Sequence, residues 1–175
     1  GPDGASFKYT PVNPYQDSRS DTLADVAMKY WKEDLRTEAF MTNDVPTNSA
    51  DPAFWQHMST FGVSLGANGT LDPATDLPNL MSGAKTWPDP FSNQNAKIDD
   101  LWHATLNGRG DFVAAQDPNE YAEALKKTLG AISDRVASAS NLSANSTSLK
   151  ADSKIFAGKY KAGVWEGELT AFDAN

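Results

Sequence analysis

The chain contains no cysteine. That excludes disulfides, thiolate nucleophiles and thiolate metal sites, and leaves the compartment open, because many exported domains do without disulfides. Histidine is nearly as scarce: His57 and His103 are the whole supply. No apolar run reaches the roughly 18 residues that a membrane-spanning helix needs. Basic residues are outnumbered, 15 against 23 acidic, for a formal net charge of −8. Such a surface repels phosphate backbones and anionic headgroups, so neither nucleic-acid binding nor membrane insertion is expected. A glycine-rich phosphate loop is also missing: Gly108-x-Gly110 lacks the third glycine and the preceding strand. Asp99 and His103 share one helix face, four residues apart, but no thiol or second base joins them. An enzyme is therefore not expected.

What the chain does have is bulk. Five Trp, eight Phe and five Tyr among 175 residues are enough to anchor a folded core. Gly1-Pro2 reads as the remnant of a cleaved tag, so the chain is expected to be a piece of a longer protein. Residues 1–20 read as an extended leader with a short strand at Phe7–Thr10. Residues 22–36 read as a helix capped by Ser20 or Asp21, with Leu23, Val26, Ala27, Tyr30 and Trp31 forming its inward stripe. Residues 37–57 are a polar loop pinned by Phe54 and Trp55. His57 has no partner at useful spacing and is expected to be structural.

Residues 58–65 alternate, with Phe61, Val63 and Leu65 on one face of a strand. Residues 67–98 hold Pro73, Pro78, Pro88 and Pro90 and are expected to be an irregular insert without a long helix. Helical spacing resumes over 97–107 with Ile98, Leu101, Trp102 and Leu106. Gly108 and Gly110 then suit a tight turn before a short strand at 112–115. Residues 117–138 carry the strongest helix signal: Asp117 as cap, Pro118 in the first position and Glu120 closing a capping box. Tyr121, Leu125, Leu129, Ile132 and Val136 are expected to face a core, so that Leu125→Asp would be severely destabilising.

A Ser/Ala/Asn-rich linker is expected over 139–152. Residues 153–175 read as a hairpin, with strands Ile155–Tyr160 and Val164–Phe172 around Lys161-Ala162-Gly163. Asn68, Asn141 and Asn145 fit the glycosylation tripeptide, a pattern too short to weigh much.

Two stretches could carry function. The first is Arg109-Gly110-Asp111. A guanidinium and a carboxylate presented on one turn can bridge a receptor, the cation meeting a carboxylate and the anion completing a divalent metal's coordination, as integrins do. Arg109 could equally pair with Asp99 or Asp100. The second runs from Asp89 to Asp100. Asp89, Asn93, Asn95, Asp99 and Asp100 approximate a twelve-residue calcium loop leading into a helix. Gln94 replaces the usual sixth-position glycine, Phe91 sits where a donor is normal, and no bidentate Glu closes the loop. The alternative is a polar loop whose Asn95 and Asp99 cap the helix.

The blocks TLADVAMKYWKEDLR, DPAFWQHMSTFGVSLGANGTLD, DDLWHATLNGRGDF and FAGKYKAGVWEGELTAF, in that order from Phe7 to Phe172, resemble the PilY family of type IV pilus tip adhesins and pilus-biogenesis factors. The run from STFGVSLG through PNEYAEALKKTLGAI resembles the second half of a von Willebrand A domain. The resemblance implies an α/β fold, a partial von Willebrand A-like (Rossmann-like) segment over 21–138, with a C-terminal β-hairpin at the entry to a propeller. It also implies display at the pilus tip or outer cell surface, adhesion to a host receptor, contacts with minor pilins and an association with calcium. The von Willebrand A metal motif, Asp-x-Ser-x-Ser, does not occur: Asp17-Ser18-Arg19-Ser20 has the wrong spacing. No metal ligands of that kind are expected here.

Overall fold

The computed structural model describes residues 10–137, 142–144, 154–161 and 166–173. Among these, the order is α1 (Leu23–Lys32), β1 (Thr60–Leu65), α2 (Pro73–Ser82), α3 (Gln94–Asn107), β2 (Arg109–Ala115), α4 (Pro118–Ala137), β3 (Leu142–Ala144), β4 (Lys154–Lys161) and β5 (Glu166–Asp173). The fold is mixed α/β, as expected. The chain divides into two compact units, Gly1–Lys126 and Lys127–Asn175.

The first unit is built around α3, which packs on α1 and on both strands of a two-stranded parallel sheet. β1, the α2–α3 connection and β2 make a βαβ unit, the element of a Rossmann-like domain. The contacts of α3 are close because the residues facing it are small. Ala24 and Ala27 of α1 meet Ala104 of α3. In β1 the buried residues are Gly62 and Ser64. A Cβ at Gly62 would strike Thr105 and press on Leu101 of α3.

This corrects two sequence expectations. The buried face of α1 is Ala24, Ala27, Met28 and Trp31, while Leu23, Val26 and Tyr30 are exposed. In β1, Leu65 is exposed and the buried phase is the other one. Bulk marks a stripe in sequence, but only small side chains allow elements to approach this closely.

α1 starts at a capping box between Thr22 and Asp25, one residue later than the expected cap, and ends at Lys32. α2 contradicts the expected irregularity of 67–98. Asp72 caps it, Pro73 occupies the first turn where its missing N–H costs nothing, and Pro78 is accommodated inside. Its buried Leu80 packs with Trp87 and Trp102, and its Asp76 is paired with Lys85. α4 follows the expected cap: Asp117 Oδ1 accepts from the amides of Asn119 and Glu120, and Glu120 accepts from the Gln116 amide. Its expected core stripe is only partly buried, however: Tyr121 is half-buried, and the side chain of Val136 lies outside the described residues. Leu125, Leu129 and Ile132 are exposed, so Leu125→Asp is not a core substitution.

In the second unit, β3, β4 and β5 form an antiparallel sheet in that order. The β4–β5 ladder runs from Lys154↔Asp173 to Lys161↔Glu166, which is the expected C-terminal hairpin. β3 lies within the stretch read as a linker. The rest of that linker, the strand read at residues 7–9, and Asn141 and Asn145 lie outside the described residues.

Candidate functional site

The tripeptide does not sit on a turn. Gly108 ends α3, and β2 begins at Arg109 itself. The register moves from Thr60↔Arg109 to Gly62↔Phe112, so three steps on β2 face two on β1. Gly110 and Asp111 thus lie in a β-bulge. The expected roles of the glycines change accordingly. The left-handed residue is Arg109, at φ 57°, whereas Gly108 lies at φ −85°. Glycine is needed for space: a Cβ at Gly108 would strike the Thr60 side chain and amide, and one at Gly110 would strike the Thr60 carbonyl.

Arg109 is buried, with 9% of its surface exposed. Its guanidinium carbon lies 3.7 Å from the centre of the Trp31 ring and 3.9 Å from that of Tyr15. Nη1 donates to the carbonyls of Leu106 and Asn107 at 2.9 and 3.0 Å. The cation thus occupies an aromatic slot and ties down the last carbonyls of α3, where the helix dipole favours positive charge. The open alternative of pairing with Asp99 or Asp100 is not realised, since both carboxylates are engaged elsewhere. Gly110 is half-buried. Asp111 is exposed.

The oxygen donors of the expected calcium loop point apart. Asp89 pairs with Arg19 at 2.6 Å and accepts from the Phe91 amide. Asn93 caps α3 by accepting from the Ala96 amide. Asn95 lies exposed in the first turn of α3. Asp99, 1% exposed, accepts from the Thr70 amide and hydroxyl and from the Leu71 amide, fastening the β1–α2 loop to α3. Asp100 accepts from the amides of Leu23 and Ala24 and so holds the N-terminus of α1. Consecutive helical residues project about 100° apart, so Asp99 and Asp100 serve opposite neighbours. The five do not fit one cation, and the helix cap is Asn93 rather than Asn95 or Asp99. No group of three acidic or histidine side chains suited to a metal occurs among the described residues.

A cavity of about 380 Å³ adjoins Asp99, lined by Thr70, Asp72, Trp102 and Phe112. Asp99 spends its oxygens on Thr70 and Leu71 there.

In sequence His57 has no partner at useful spacing and His103 shares a helix face with Asp99, but Asp99 is buried on Thr70 and Leu71 and His103 lies beside Asp17 instead. Each histidine has a carboxylate nearby. His57 Nε2 lies 3.1 Å from Asp51, six residues upstream, and both side chains are buried. His103 Nδ1 lies 3.6 Å from Asp17, and its ring stacks on Trp87 at 4.3 Å. Burial pushes the His103 pKa down to about 4, against weaker opposing pulls from the Tyr15 backbone, Asp100 and Asp25. Burial likewise raises Asp17. The slot of Tyr15 and Trp31 around Arg109 gives no sequence signal: its three members span 94 positions and no periodicity links them.

No protein-family profile and no solved structure matches the chain. Curated proteins do. Over 160 aligned positions, covering 77% of the chain, it is 39% identical to the type IV pilus biogenesis factor PilY1 of Pseudomonas aeruginosa strain UCBPP-PA14. Over 201 positions, covering 98% of the chain, it is 32% identical to the protein of the same name from strain PAK. The chain belongs to the PilY family. It spans only 14–17% of the length of these PilY relatives. The longer alignment exceeds the chain's 175 residues, so that PilY relative carries residues inserted along the shared segment.

Proposed function

We propose that this segment is a non-enzymatic structural module of a type IV pilus tip protein, displayed at the outer cell surface, in which Arg109-Gly110-Asp111 serves the fold. The name shared by the relatives supports a place among pilus components, with minor pilins as neighbours. One observation carries the role of the tripeptide: Arg109 is clamped between Tyr15 and Trp31 and bonded to the end of α3. A receptor that grips both ends of the tripeptide needs that guanidinium in solvent. Withdrawing it would open a core slot and release two carbonyls.

The receptor reading retains one supporting observation, the exposed carboxylate of Asp111. A solid-phase assay with a purified integrin distinguishes the two. The native chain and Asp111→Glu are expected to bind equally weakly. Strong binding by the native chain that Asp111→Glu abolishes would overturn the structural reading. Calcium is not needed in this reading, because amides and Arg19 already occupy the oxygens of Asp89, Asp99 and Asp100. A chelator is expected to leave the melting temperature of the chain unchanged.

A further inference from the structure

Asparagine is followed by glycine twice, at Asn68-Gly69 and Asn107-Gly108. In such a pair the backbone nitrogen of the glycine can attack the side-chain carbon of the asparagine, because no Cβ shields its amide. The attack needs an amide that is not already bonded, a side chain free to swing over it, and a donor for the oxygen that becomes negative.

The fold treats the two pairs oppositely. Asn107 is 2% exposed, and its Nδ2 donates to the Ala24 carbonyl at 2.9 Å. The Gly108 amide donates to the Ala104 carbonyl at 2.9 Å, closing the last turn of α3. Nucleophile and electrophile are both held. Asn68 lies exposed in the connection between β1 and α2, outside any helix or strand. The next amides, of Thr70 and Leu71, donate to Asp99, but among the described residues no acceptor takes the Gly69 amide. Asn68 Oδ1 accepts from Gln116 Nε2 at 2.7 Å. Both side chains are exposed, so they can move together over that amide.

We propose that Asn68-Gly69 is a self-modifying site, with Gln116 donating to the attacked carbonyl. The Gly69 nitrogen bonds to Asn68 Cγ and the Cγ–Nδ2 bond breaks. Nδ2 leaves as ammonia, taking the proton of the Gly69 amide. The cyclic imide then takes up one water. Opening at Cγ gives aspartate; opening at the backbone carbonyl gives isoaspartate, whose main chain is one methylene longer. Either product adds a carboxylate where Asp72 and Asp99 already line the cavity. The longer main chain has no room to settle, since Gly69 is packed so closely that a Cβ on it would strike the Asp99 carboxylate. The Thr70 and Leu71 bonds to Asp99 therefore loosen.

The test is to incubate the folded chain in heavy-oxygen water, digest it in ordinary water and map its peptides by mass. Each conversion during the incubation carries one solvent oxygen into the product. The Asn68 peptide should gain label while the Asn107 peptide does not. Gln116→Ala should slow the labelling severalfold, and Asn68→Gln, whose longer side chain closes the ring poorly, should abolish it. Amide exchange at Thr70 and Leu71 should be faster in the isoaspartate product. An unlabelled Asn68 peptide, equal labelling of both pairs, or an unchanged rate in Gln116→Ala would overturn the proposal.

Discussion

Arg109 and Asp111 are two residues apart on β2, yet one belongs to the core and the other to solvent. In a regular strand, residues i and i+2 point to the same face. Here the left-handed backbone at Arg109 and the bulge that follows break that alternation. The left-handed conformation costs a side-chain-bearing residue about 1 kcal/mol, and the aromatic slot with its two carbonyl acceptors offsets it. Three letters that read as one ligand are thus two parts with different tasks. Adjacency in sequence says which groups are near each other, not which are presented together.

The largest effect should come from the residue between them. In Gly110→Ala the new methyl meets the Thr60 carbonyl of the paired strand, and backbone cannot give way as a side-chain tip can. A loss of about 4 kcal/mol in urea unfolding is expected. A loss below about 1 kcal/mol would mean that the two strands are farther apart than described.

A pH scan tests the wall of the Arg109 slot, because the His103 side of α3 carries the Tyr15 segment. The folded His103 pKa of about 4 lies below the unfolded 6.5, so the unfolded state binds more protons between those values. Stability should therefore rise with pH across that window, by about 3 kcal/mol in all. The raised Asp17 works the other way just above its ordinary value and blunts the lower end. His103→Phe should flatten the rise; an unchanged slope would show that His103 is not its source.

Arg109→Lys keeps the charge but loses the planar stack on Trp31 and Tyr15, and should cost about 1–2 kcal/mol. Asp111→Ala should stay within about 0.5 kcal/mol of the native chain. A ranking in which Asp111→Ala costs more than Arg109→Lys would reverse the comparison.

Much of the frame was legible in sequence, because caps and periodicity are local. Asp117-Pro118 announced α4, the alternation over 58–65 announced β1, and the C-terminal repeats of β-formers announced the β4–β5 hairpin. The faces were not legible. Ala24, Ala27 and Gly62 carry the close contacts of α3, and a reading that weights bulk looks past them. α2 was missed because Pro73 and Pro78 were counted as breakers without their positions relative to the Asp72 cap. At the candidate site, exposed Asp111 could be read as a surface group. Burial of Arg109 depends on Tyr15 and Trp31, which only the folded chain brings to it. The same holds for Asp99 and Asp100, whose spacing suggested one cation and whose carboxylates instead fasten two different neighbours of α3.

The most direct measurement is a double-mutant cycle in urea, combining Tyr15→Leu with Arg109→Ala. If Arg109 is a core clamp, Arg109→Ala alone costs about 3 kcal/mol, and the two substitutions show a coupling of about 1 kcal/mol because each removes the other's partner. Additive losses, with a coupling indistinguishable from zero, would show that the guanidinium does not reside in the slot and would return Arg109-Gly110-Asp111 to the surface.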